Sequence, residues 1–191
     1  KGKYYIVHSK LDEVDLLSVK KDARYKKAVI PTYNVFNKSQ LEKDDARKIL
    51  NVAQNEFVLL FFGLIREYKG LKYLLKALSI IKNKIPNVKL YIVGDFGGEK
   101  DHDLKIIKDL NIENYILIED AYVGGLPEVV ADGKTGYVVP PFNAEELGQA
   151  IVKFYECNDK RHFEKEIENE AYKFSWDRMN EILDEIVEGG N

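Results

Sequence analysis

Hydrophobic positions along this chain change period several times, and each change predicts an element. Residues 57–62, Phe-Val-Leu-Leu-Phe-Phe, are an unbroken apolar run, the pattern of a strand (56–62) buried on both faces. It stops at Gly63. From about Gly70 the period becomes helical: Leu71, Leu74, Leu75, Leu78, Ile81 and Ile85 share one side of a helix over 70–85. Pro86-Asn87 ends it. Residues 88–93 predict the next strand, which stops at Gly94-Asp95. A helix over 101–110 turns Leu104, Ile107 and Leu110 inward, and 115–118 is a third apolar strand. Beyond it come a short helix (126–131), a turn (132–136), a strand (137–139) closed by Pro140-Pro141, and a helix over 144–156. The tail, about 159–189, is helical, with Phe163, Ile167, Phe174, Trp176, Ile182, Leu183 and Ile186 as apolar positions. Before the first apolar run, 4–8 reads as a strand. Ser9 then caps a short helix with Asp12 and Glu13 in its first turn. A second strand follows over 28–31, then an irregular linker over 32–38. Ser39-Gln-Leu-Glu42 is a capping box opening a helix to about Leu50.

Strands alternating with helical runs mean βαβ units, and the right-handed crossover makes them an open, doubly wound parallel sheet of the α/β class. Ligands bind such sheets outside the carboxyl ends of the strands. Gly63, Gly94 and Asp120 fall on that edge. One junction breaks the pattern. The strand ending in Glu119-Asp120 runs almost directly into Ala121-Tyr-Val-Gly124-Gly125, whereas parallel neighbours need a dozen or more residues between them. Either this pair is antiparallel, or a segment is absent from the sequence near 120–122.

Composition narrows the function classes. The chain has 191 residues, 45% hydrophobic and 32% charged, with net charge −3, so no basic excess drives binding to nucleic acid. Twelve Tyr and nine Phe are scattered through apolar elements and form no platform for stacking bases. One cysteine, Cys157, forbids an intrachain disulfide and suits a reducing cytoplasm; it reads as a packing residue. No apolar run approaches the roughly 20 residues of a membrane span, and no His/Cys/Asp spacing suggests a metal site.

Arg66 and Lys69 carry the sharpest chemical signal. Two cations just past a buried strand and just before a helix are placed where a nucleotide's phosphates would sit. The bland alternative is a solvated surface pair beside Glu67. Gly63 either lets a ligand approach the backbone closely or ends a strand, and Gly94-Asp95 has the same two readings. Gly124-Gly125 is an anion-binding turn or a tight connection, with Glu128 as a further candidate in the short helix after it. Gly133-Lys-Thr135 is not a phosphate-binding P-loop, because Glu128 stands where its first Gly belongs. His8 is a cleft residue or a partly buried strand-end histidine. His102 and His162 lie on polar helix faces, and Phe174 and Trp176 read as core residues docking the last helix.

Four stretches in order resemble the carboxyl-terminal half of a GT-B glycosyltransferase of the group 1 type, retaining family 4. They are Phe61-Phe-Gly-Leu-Ile-Arg66-Glu-Tyr-Lys69-Gly70-Leu, Lys89-Leu-Tyr-Ile-Val-Gly-Asp95, Gly124-Gly-Leu-Pro-Glu128 through Pro140, and Phe174-Ser-Trp176. Tyr5-Ile-Val-His-Ser9 looks like the end of the amino-terminal domain. The resemblance implies that 1–36 are the last elements of that domain plus a linker, and that 37–191 form the nucleotide-sugar-binding domain. It implies transfer of a sugar from a nucleoside-diphosphate sugar to an acceptor hydroxyl with no cofactor or required metal. Arg66 and Lys69 would grip the donor diphosphate, and Gly63, Gly94, Gly124, Gly125 and Glu128 would line the donor site. The acceptor, a glycan or a lipid-linked molecule at a cytoplasmic membrane face, would bind through the absent amino-terminal domain. The family also places a helix, a strand and a second helix, bearing a Glu-x7-Glu pair, where this chain has its abrupt junction. Two alternatives stay open: a GT-B nucleotide-sugar epimerase, and a non-catalytic binding or scaffold domain that has lost the donor carboxylates.

Overall fold

The computed structural model describes residues 4–29, 31, 41–96, 98, 100–119 and 130–188. They form two compact units, one holding the described residues up to 31 together with 162–188, the other 41–161. In the first unit β1 (Tyr4–Val7), α1 (Lys10–Val19) and β2 (Arg24–Lys27) make one βαβ turn, with Tyr4 opposite Arg24 and Val7 opposite Lys27. Ser9 caps α1 as expected. Its side chain accepts from the Asp12 N–H, and Asp12 reaches back to the Ser9 N–H. The second strand lies earlier than the expected 28–31. The polar run Arg-Tyr-Lys-Lys pairs with β1, and Ala28 only continues the ladder through its N–H to the Val7 carbonyl. Register against β1, not apolarity, fixes its position.

The second unit begins with α2 (Lys43–Ile49). Its cap is Glu42, which makes no side-chain cap bond; the expected box at Ser39 lies outside the described residues, as does the 32–38 linker. Three parallel strands follow in the order β3 (Phe57–Phe62), β4 (Val88–Val93), β5 (Ile116–Glu119). They are joined by α3 (Leu71–Ile81) and α4 (Lys100–Asp109). Phe57 opposes Val88, Phe61 opposes Ile92, and Leu90 opposes Ile116. This is the parallel α/β sheet the alternation predicts. Val88, Leu90 and Ile92 are fully buried beneath Leu71, Leu75, Leu78 and Ile81 of α3 and Ile107 of α4. The α3 positions recur at helical spacing and so form one stripe.

β3 is not buried on both faces. Phe57, Leu59 and Phe61 pack on the core, while Leu60 and Phe62 are 62% and 46% exposed. α3 stops at Ile81, short of 85, with Ile85 held in a buried turn by its N–H to the Ile81 carbonyl. α4 is rotated from the expected face: Asp103 and Ile107, one turn apart, are buried, and Leu104 is exposed. α5 (Ala144–Glu156), capped by Asn143, packs against α3. Gly148 permits the approach, since a methyl there would stand 3.1 Å from Ile81 Cγ2.

The turn over 132–136 forms as expected, bridging Asp132 and Gly136. The strand over 137–139 does not. Val138 gives its N–H to Asp132 Oδ1 and the Tyr137 ring lies under Lys153 Nζ at 4.3 Å, so no ladder takes that backbone. The helical tail is two helices, α6 (Lys160–Ala171) and α7 (Trp176–Glu188), broken at Ser175. Phe163 and Ile182 are buried, but Trp176 is 60% exposed and Phe174 half-buried, so Trp176 is not the core anchor the sequence suggests. Among the described residues no helix is long and apolar enough to cross a membrane.

Candidate functional site

The carboxyl ends of β3 and β4 are drawn together by two glycines. Gly63 gives its N–H to the Val93 carbonyl at 3.1 Å, and Ile65 gives its own to the Asp95 carbonyl at 2.8 Å. Gly94 sits so close to Gly63 that a Cβ on it would lie 1.9 Å from the Gly63 carbonyl oxygen. Its glycine is therefore required by the backbone contact itself. Gly63 differs: its φ is +128°, and a Cβ there would meet nothing within 4 Å. That side of Gly63 is open space.

Past this pinch the chain runs through buried Ile65 to Arg66, then a single tight turn (Glu67–Lys69), then Gly70 at φ +77°, which starts α3. The Arg66 guanidinium is half-buried and tethered through Nη1 to the Ile65 carbonyl at 2.9 Å and the Asp95 carbonyl at 3.2 Å. Among the described residues no carboxylate pairs with it, and Nε and Nη2 take no partner. The bland reading of Arg66 as a surface mate of Glu67 does not hold. Glu67 pairs instead with Lys72 Nζ at 2.8 Å. The hydrogen bond from Lys72 holds the Glu67 carboxyl below its ordinary range, with the charge of Lys72 adding to it, and the same contact raises the Lys72 ammonium.

Arg66, Glu67 and Lys72 line a cleft of about 270 Å³ with Ile65, Leu71, His102 and Asp103. Its size suits part of a nucleotide better than a whole sugar nucleotide, since ligand pockets span roughly 300–1,000 Å³. The site thus gathers the first turns of α3 and α4 at one sheet edge. His102 and Asp103 join it although the sequence marked His102 as a plain surface residue. The signal available was position: both stand in the first turn of the helix after Gly94-Asp95.

Lys69 is not part of the cleft lining, and its Nζ lies 5.6 Å from the centre of the Tyr68 ring. Gly124, Gly125 and Glu128 lie outside the described residues. His8, in the first unit, sets its Nδ1 2.8 Å from the Ala28 carbonyl. Only a protonated Nδ1 can donate there, which leaves Nε2 as the acceptor.

A parallel sheet with a cation-bearing crevice at its carboxyl edge defines the class: a doubly wound α/β protein with a site suited to phosphate ligands. The profile of the family described as glycosyl transferases group 1 matches residues 42–118 and 115–174, and the chain belongs to that family. The crystal structure of Anabaena HepE in complex with UDP superposes with a TM-score of 0.77 at 20% identity, over 96% of this chain and 63% of that one. The fold is accordingly the GT-B type.

Two curated relatives show the same kinship. The Bacillus subtilis poly(glycerol-phosphate) alpha-glucosyltransferase is 22% identical over 190 positions, covering 78% of this chain and 27% of the relative. The Salmonella typhimurium lipopolysaccharide 1,2-N-acetylglucosaminetransferase is 23% identical over 194 positions, covering 75% of this chain and 51% of the relative. The chain therefore spans about a quarter of one relative and about half of the other. In both alignments the positions outnumber the residues this chain supplies. Since 78% and 75% of 191 residues are about 149 and about 143, some 40 and 50 positions of the relatives meet no residue here. The family match is itself split, and its two parts meet at 115–118, in β5.

Proposed function

We propose that this chain is the donor-binding part of a retaining glycosyltransferase, which moves a sugar from a nucleoside-diphosphate sugar to an acceptor hydroxyl. The observation that carries the reading is Arg66. Its fork is fixed by two backbone carbonyls at the end of β3, is free of any carboxylate among the described residues, and opens on a cleft beside the first turn of α3. A planar guanidinium held in this way offers paired donors to a phosphate. Charge on the leaving diphosphate would meet a preorganised partner, the term that usually contributes most to such catalysis. Open space at Gly63 fits close approach of the donor backbone. Lys69 supplies a second, mobile charge on the same loop, and Gly94 acts by shaping the edge. Gly124, Gly125 and Glu128 complete the donor site in this reading. Residues 1–36 belong to the acceptor-side domain and its linker, and 37–191 to the donor side. The relatives' names support sugar transfer and leave donor nucleoside and acceptor open.

The test is turnover of UDP-, GDP- and ADP-sugars by the full-length protein and its Arg66→Ala variant. Loss of about a hundredfold or more in kcat is expected, with circular dichroism and Tm unchanged. Equal turnover by the variant would refute the diphosphate role. The abrupt junction after Glu119 favours a second reading, a binding domain without donor carboxylates; absence of any donor hydrolysis by the full-length protein, with donor still bound, would select it.

A further inference from the structure

The sheet of the second unit has one apolar face that its helices do not seal. Register places Leu60 beside Tyr91 and Leu117, and Phe62 beside Val93 and Glu119, all on the side opposite the buried Leu90 and Ile92. Leu60, Leu117 and Phe62 are 62%, 48% and 46% exposed. Only the amino-terminal end of this face has a neighbour on record: the Tyr91 hydroxyl donates to the Leu50 carbonyl, just past α2, at 3.3 Å. The reason is topological. The steps from β3 to β4 and from β4 to β5 run in one direction, so right-handed crossovers lay α3 and α4 on one face. A helix reaches the other face only if the chain turns back from β5 and adds a parallel strand on the outer edge of β3.

We infer that the complete protein makes this return. A crossover segment of the same polypeptide, inserted between Glu119 and Val130, lays a helix over Leu60, Phe62 and Leu117 and pairs a strand with the free edge of β3. Three observations converge on it. The relatives carry some 40 to 50 positions with no counterpart here, and a helix–strand–helix return needs roughly 30 or more. The family match breaks in β5, where the return must leave the sheet. Parallel strands such as Leu60 and Phe62 occupy are stable when both faces are covered. The return has a functional consequence, resting on the transferase reading above. Reversal of strand order at β3 makes the end of β3 the switch point where ligands bind, and Arg66 stands there.

The intact mass of the protein expressed from its native gene is the first test, against 22.0 kDa for this sequence. The expected result is a mass several kilodaltons higher. In that longer protein the double substitution Leu60→Glu, Leu117→Glu should lower Tm by several degrees, and both leucines should resist hydroxyl-radical footprinting. A mass of 22.0 kDa overturns the inference, whether the protein is a monomer or a dimer that the double substitution dissociates, the latter naming a second copy as the cover. A higher mass with both leucines still reactive overturns it as well. Donor turnover is read separately: a 22.0 kDa protein that hydrolyses a sugar nucleotide would sink the return while leaving the transferase reading intact.

Discussion

The two faces of the β3–β5 sheet are built from the same strands and nearly the same residue types, yet their fates differ. On one, Val88, Leu90 and Ile92 lose all contact with water beneath α3 and α4. On the other, Leu60, Phe62 and Leu117 keep half of it. An apolar strand is therefore evidence that something covers it, but the cover is set by connection handedness and is not written in the strand. Where both crossovers run one way, one face is paid in full and its opposite waits for a chain that turns back.

Substitutions can break this comparison. The largest effect falls where the faces meet at the carboxyl edge. Gly94→Ala forces a methyl to 1.9 Å from the Gly63 carbonyl oxygen, and neither partner is a flexible side-chain end. A loss of about 3 kcal/mol or more is expected, measured by urea denaturation, with the Ile65–Asp95 tether and so the Arg66 placement disturbed. A variant with wild-type stability would mean that the edge is looser than the pinch implies.

Next come the faces themselves. Leu78→Ala, on the sealed side and fully buried, should cost about 2–5 kcal/mol. Leu60→Ala, at 62% exposure, should change the stability of this 191-residue chain by no more than about 0.5 kcal/mol. The same denaturation series reads both. If Leu60→Ala costs as much as Leu78→Ala, the open face is covered in solution, and the contrast between the faces fails for this chain.

The parts of this fold legible in the sequence are those whose period and burial agree. β4 alternates strictly, α3 carries its stripe at 71, 75, 78 and 81, and α5 starts at a capping Asn143. What was missed depended on partners. Tyr137-Val-Val139 has strand composition, but the side chain of Asp132 takes the Val138 N–H. Leu104 looked inward by period, yet Asp103 and Ile107 face the interior, because α4 turns its first residues toward the cleft. Trp176 looked like core and is exposed. At the site, Arg66 was legible from its place between a strand and a helix. Its two carbonyl tethers, and the presence of His102 and Asp103, were not, since they come from a neighbouring βα unit. Lys69, equal to Arg66 in the sequence, parts from it in space.

The smallest expected effect lies on the rim of the cleft. Lys72 holds Glu67 2.8 Å away and keeps its carboxyl below the ordinary range. A depressed carboxylate contributes stability above its unfolded pKa and loses it as pH falls through the folded one; both groups are exposed, so screening keeps the contribution slight. Lys72→Met should raise the Glu67 titration toward that of a free glutamate, followed by NMR of its side-chain carboxyl carbon, with almost no change in Tm. An unmoved titration would show that the pair does not persist in solution. The pair also bears on Arg66. While Lys72 occupies Glu67, the guanidinium beside it has no competing anion, and a phosphate finds Nε and Nη2 open. Releasing Glu67 at neutral pH sets a carboxylate against the ligand for the same fork, so Lys72→Met should weaken donor binding more than loss of one rim charge would, and lowering the pH to protonate Glu67 should restore part of it.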